Sequence, residues 1–191
     1  MDNKDLIRRV FLESAGLQEI LCRSLVSEIE QLAMSMVEAL KKGNKLLIIG
    51  NGGSAADAQH MAGELIGRFK GERAPLAAIA LTTDTSVMTC LGNDYGFDKI
   101  FLRQIEALAN PGDAVLAITT SGQSENIVQG VLMAKKKGAL TLGLLGKDGG
   151  KVQELLDRAV VVPSDDTQRI QEAHLVIEHI LCELIDNHFS I

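Results

Sequence analysis

Apolar residues recur at helical spacing through the first forty positions: Leu6, Val10, Leu17, Ile20 and Leu21, then Ile29, Leu32, Ala33, Met36 and Leu40. This stretch shows no alternation of the strand type, so it predicts two helices within residues 3–42. Gly43 and Asn44 punctuate the chain. Lys45-Leu46-Leu47-Ile48-Ile49-Gly50 then has the short, continuous apolar character of a strand buried on both faces. Further strands are predicted at 76–81, 114–119, 139–145 and 158–162, with helical periodicity between them and a last helix from about Thr167 to Asn187. Parallel strands require crossovers, which are right-handed and lay helices on both faces of a sheet. The predicted architecture is therefore α/β: a three-layer α/β/α sandwich around five parallel strands, preceded by the N-terminal helices. No linker, low-complexity tract or repeat divides residues 1–191, which read as one domain.

Composition adds exclusions. Hydrophobic residues make up 46% of the chain, yet no apolar run approaches the roughly 18 residues that cross a bilayer, so no membrane partner is expected. With only 3% aromatics, that apolar content fits either surface hidden in an oligomer or an Ala- and Val-rich sheet. The opening nine residues mix acids with bases and lead to no small-residue cleavage site, which points to a cytoplasmic protein. Cys22, Cys90 and Cys182 have no metal or redox spacing and are expected to be buried thiols. A net charge of −6 without a basic cluster argues against nucleic-acid binding. An anionic ligand would have to be held by local geometry.

In a parallel sheet, ligands sit beyond the carboxyl ends of the strands, which puts weight on the loops after the first and third. Gly50-Asn51-Gly52-Gly53-Ser54-Ala55 lets backbone approach a ligand and aims helix N-terminal amides at it. The same string fits the GxGxxA dinucleotide fingerprint. That fingerprint wants an acid closing the second strand, whereas Asp84 arrives only after Thr82 and Thr83, which disfavours a nicotinamide cofactor. The second loop, Thr119-Thr120-Ser121-Gly122-Gln123-Ser124, gathers hydroxyls before a helix starting near Glu125 and suits a phosphate without any Walker lysine. Ser124 could equally be a helix cap.

The helix after the first loop carries Asp57, His60 and Glu64, the last two four residues apart and stacked on one face. Imidazole and carboxylate can bind zinc, and a carboxylate can abstract a proton beside a carbonyl. An ordinary exposed i,i+4 pair is the plainer reading. The last helix offers Gln171, Glu172, His174, Glu178 and His179. Gln171 and His179 lie two turns apart, within roughly 80° around the axis, and His174 points away from His179. Spacing alone assigns these residues no role.

Taken in order, GNGGSAADAQHMAGELIGRF, ALTTDTS, LGNDYGFDKIF, TTSGQS, GKDGG and VPSDDTQRIQEAHLVIEHILCELID resemble the phosphoheptose isomerases of the sugar-isomerase (SIS) fold along almost the whole chain. The resemblance implies a flavodoxin-like sheet and isomerisation of sedoheptulose 7-phosphate to an aldose heptose 7-phosphate through an enediol, supplying heptose for lipopolysaccharide or another surface carbohydrate. It implies one zinc per subunit on His60, Glu64, Gln171 and His179. Implied substrate contacts are Asn51, Gly52, Gly53, Glu64, Asn93, Asp94, Thr119, Thr120, Ser121, Ser124 and Gln171, with Thr119 standing where some relatives carry serine. Glu64 would move the proton between C1 and C2 and His179 would serve as acid or base at the oxygens. A carboxylate bound to zinc is a weaker base, so the two roles implied for Glu64 are in tension. Homotetramers with sites between subunits are also implied, residues 1–42 contributing to assembly. Rival readings are a non-catalytic SIS protein that binds a replication initiator and a sugar-phosphate sensor; the presence of Glu64 and His179 favours the enzyme.

Overall fold

The structure is a computed structural model and describes residues 2–190. Two helices, α1 (Asn3–Ser24) and α2 (Val26–Lys41), precede the alternating elements β1 (Leu46–Gly50), α3 (Gly53–Ile66), β2 (Ala78–Ala80), α4 (Thr85–Tyr95), α5 (Ile100–Leu108), β3 (Ala114–Thr119), α6 (Glu125–Lys136), β4 (Leu140–Gly146), α7 (Gly150–Gln153), β5 (Arg158–Val162) and α8 (Thr167–Phe189). All strand pairings are parallel and the order is β2-β1-β3-β4-β5, the flavodoxin-like arrangement.

Strand alternation divides the interior into two cores. Leu46, Ile48, Leu116 and Ile118 face one way and pack with α2, α3 and α8 through Met36, Met61, Ile177 and Leu181. Leu47, Ile49, Val115 and Ala117 face the other way, against Phe101 and Ile105 of α5 and Ile127 and Val131 of α6. Every residue of β1 and β3 is buried, as continuous apolar runs in a doubly covered sheet require. Between these two strands the chain changes direction across the sheet, so a crevice opens above their carboxyl ends.

The structure corrects several expectations. The second strand is three residues long, at the sheet edge, where Ile79 is partly exposed. The helical periodicity expected between β2 and β3 resolves into two α-helices and a 3-10 turn at Phe97–Lys99. Gly96, at φ 92°, makes the break, a conformation that side chains resist. Cys182 is buried as expected, but Cys22 and Cys90 are exposed.

Arg73 and Asp186 join the two helices that carry the candidate chemistry. The guanidinium donates to Asp186 Oδ1 at 2.5 Å and to the carbonyls of Leu65 and Glu64 at 2.8 Å each, at the end of α3. Both side chains are nearly inaccessible. Burial alone would raise the Asp186 pKa; bonds from the Lys70 and Gly71 amides and from Arg73 hold it below the usual carboxylate value.

Candidate active site

The loop after β1 owes its shape to glycine. Gly52 sits at φ 57°, ψ −121°, outside the range of other residues. A Cβ on Gly53 would lie 2.3 Å from Gln171 Nε2, so bare backbone lets α8 lay its glutamine amide against the start of α3. Across the crevice, Asn51 and Asn126 form a reciprocal amide pair, with N–H···O distances of 2.9 and 2.8 Å.

The hydroxyl loop folds on itself and on the β4–α7 connection. Buried Thr119 accepts at Oγ1 from the Gly122 amide at 3.2 Å, and Ser121 Oγ from the Gln123 amide at 3.3 Å. Gly122, at φ 61°, packs so closely that a Cβ there would lie 1.9 Å from the Gly149 carbonyl oxygen. The Thr120 carbonyl oxygen lies against Gly146, 2.8 Å from where a Cβ would stand. Ser124 occupies the N-cap position of α6, but its side chain makes no capping bond. Its hydroxyl and the Glu125 and Asn126 amides therefore keep hydrogen-bonding capacity to spare.

Farther along α3, His60 and His179 meet Nε2 to Nε2 at 2.9 Å, edge to face. Glu64 Oε1 is 3.7 Å from His60 Nε2, and Phe69 stacks on His179. Two histidines 119 positions apart thus share one point. Gln171 does not join them: it lies eight residues before His179, roughly 12 Å along the helix axis, with its amide at Gly53. Asn93 and Asp94 also stand apart, exposed on α4, where Asn93 donates to Asp94 at 2.7 Å and Cys90 to Asp94 at 3.6 Å.

Donor chemistry supports a metal at the histidine pair. Two converging imidazole nitrogens beside a carboxylate are ligands zinc accepts, and the contact the nitrogens make with each other is one a cation would replace. Among the described residues, no group of three or more His, Cys, Asp or Glu is preassembled as a metal site.

Asp57 and Glu178, two acids of these same helices to which spacing gave no role, lie close to each other. Glu178 is fully buried, neither of its oxygens has a hydrogen-bond partner, and its pKa is pushed up to about 8 by burial and then by nearby Asp57. The Asp57 pKa is raised by burial too, against the pull of His60. His174 points away from His179 as expected and bonds at Nε2 to the Leu145 carbonyl at 3.0 Å. Burial takes its pKa down to about 4, partly opposed by that bond. Asp84, weighed as a nucleotide contact, instead caps α4 by accepting from the Val87 amide at 2.9 Å. Phe69, Arg73 and Asn126 were missed, since no local pattern marks a residue whose partner lies on a distant element.

Comparison with known proteins places this architecture. The model of the SIS domain family matches residues 12–146, and the chain is an SIS-domain protein. It is 53% identical over 180 residues to a phosphoheptose isomerase of Aquifex aeolicus, covering 94% of each chain, and 55% identical over 171 residues to that of Pelobacter propionicus, covering 90% of each. The solved structure of phosphoheptose isomerase GmhA from Neisseria gonorrhoeae superimposes with a TM-score of 0.93 at 41% identity, over 97% of this chain and 100% of that one. Within the SIS proteins, the chain belongs to the phosphoheptose isomerase family.

Proposed function

We infer that the protein is an aldose–ketose isomerase that converts sedoheptulose 7-phosphate to D-glycero-D-manno-heptose 7-phosphate. The observation that carries this reading is the convergence of Glu64, from α3, and His179, from α8, on His60, in a chain whose other site loop leaves the Ser124 hydroxyl uncommitted. His60 lies seven residues beyond Gly53 on α3, roughly 10 Å of helix. An extended seven-carbon sugar phosphate bridges a separation of that order, with its phosphate at the hydroxyl loop and C1 and C2 at the acid–base group.

Ser121, Ser124, Thr119, Thr120 and the first amides of α6 bind the phosphate, since hydroxyls and helix N-terminal amides favour an anion. Asn51, Gly52 and Gly53 orient the sugar. Glu64 takes the proton from C1 and returns it to C2, while His179 moves the hydroxyl proton from O1 to O2, so the enediol forms and collapses without net loss of atoms. A zinc ion held by His60, Glu64, His179 and Gln171 would polarise the carbonyl and lower the barrier to removing the C–H proton. Because Gln171 and Asn93–Asp94 stand apart within one chain, a site shared between copies is part of the proposal. Exposed Ile7, Phe11 and Leu12 on α1, and an apolar groove between Val26 and Ile29 of α2 and Val176 and Ile180 of α8, support a homotetramer built on the N-terminal helices. Among the described residues, no helix is long and apolar enough to cross a membrane, and a cytoplasmic enzyme feeding surface-carbohydrate synthesis is the setting proposed.

The test is incubation with sedoheptulose 7-phosphate, with NMR detection of the aldose product. Metal content and sedimentation are measured on the same preparation. Turnover by a zinc-bearing tetramer is expected; a folded protein that binds the sugar phosphate and never turns it over would overturn the assignment.

A further inference from the structure

We propose that Asn126 is a positioning residue, which fixes the spacing between the two ligand loops through its reciprocal amide pair with Asn51. The inference rests on the reading that these loops hold a sugar phosphate. The loop after β1 runs into α3 on one face of the sheet, and the loop after β3 into α6 on the other. They diverge above two adjacent strands. Among the described residues, the Asn51–Asn126 pair is the only side-chain hydrogen bonding that crosses between them.

Asn126 is only 3% exposed, on a helix whose Ile127 and Val131 belong to the second core. A buried carboxamide is unfavourable unless its polar atoms are paired, and leucine would fill a similar volume without that requirement. Asn126 lies beyond the N-cap in the first turn of α6, so a capping role does not account for it. Its two bonds each run to one residue on the opposite loop, and a pair of parallel bonds between planar amides fixes both distance and orientation. Each amide uses one donor and one acceptor in the pair, which leaves Asn51 an N–H for a ligand. The groups at His60, Glu64 and His179 are held instead by α3, α8 and the Arg73–Asp186 ion pair. Loss of the amide pair should therefore disturb how substrate is held more than how it reacts.

The test is Asn126→Leu in the full chain, followed by steady-state kinetics on sedoheptulose 7-phosphate and by hydrogen exchange. KM should rise about tenfold, the scale of one or two net hydrogen bonds, with kcat within about threefold of the parent. Amide exchange at residues 51–54, on the opposite loop, should accelerate. Should the leucine variant not fold, Asn126→Ala makes the same comparison, removing both amide bonds without adding charge. A lowered melting temperature with parental KM and parental exchange at 51–54 would reduce Asn126 to a packing residue. The exchange measurement needs no substrate: faster exchange at 51–54 in a protein without isomerase activity would retain the loop spacing and remove the proposed function.

Discussion

Ser124 stands where a helix cap belongs but makes no capping bond, so its two possible roles predict different losses. Ser124→Ala should weaken sugar-phosphate binding by roughly 1.5–3 kcal/mol, the worth of a hydrogen bond to a charged group, and leave the melting temperature within a degree or two of the parent. A variant with lower melting temperature and unchanged affinity would restore the capping role. His174 and Glu178 govern stability against pH with opposite signs. For His174 the folded pKa of about 4 lies below the ordinary imidazole value of 6.5, so the unfolded chain binds the extra proton and stability falls as pH drops from 6.5 towards 4. For Glu178 the folded pKa of about 8 lies above 4.5, so the folded chain keeps the extra proton and stability falls as pH rises from 4.5 to 8. The two slopes offset each other between 4.5 and 6.5, and Glu178 acts alone above that. Urea denaturation in EDTA should show a loss on the order of 2 kcal/mol between pH 6.5 and 8, absent in Glu178→Gln. Equal slopes in the two proteins would show that Glu178 does not keep its proton.

Helices α3 and α8 owe their relative placement to more than apolar packing, because the buried Arg73–Asp186 pair ties the end of one to the side of the other. Arg73→Met would leave a buried carboxylate without its partner, a change that costs about 3–5 kcal/mol. Chemical denaturation measures it, and a loss under about 1 kcal/mol would mean that the amides of Lys70 and Gly71 suffice for Asp186. At this scale much was legible in the sequence. The continuous apolar runs of β1 and β3 and the 3.6-residue spacing in α2 are direct consequences of burial on two faces or one. The shortness of β2 was not, because Leu76 and Leu81 are as apolar as a strand requires although only Ala78–Ala80 pair. The break at Gly96 is a single-residue conformational event inside an otherwise helical stretch. The His60–His179 contact was out of reach of spacing altogether, since it depends on how α3 and α8 cross; the ordered motifs supplied it through family resemblance. Asn126 and Arg73 carried no comparable signal.

The whole molecule resolves an ambiguity that composition left open, and both causes of its apolar content are present. The sheet is rich in alanine, valine, leucine and isoleucine buried on both faces, and α1 also exposes Phe11 and Leu12 over more than two thirds of their surface. The first belongs to the fold; the second is the surface proposed for assembly. The central claim is that this assembly presents Glu64 to a sugar phosphate as a base. Its most direct test compares the parent and Glu64→Gln for turnover of sedoheptulose 7-phosphate at saturating substrate, with metal loading and oligomeric state matched. The substitution keeps size and hydrogen-bonding capacity but removes the base, so kcat should fall by at least the roughly 10²–10⁴-fold that accompanies loss of a general base. Near-parental turnover in a metal-loaded Glu64→Gln protein would contradict the account.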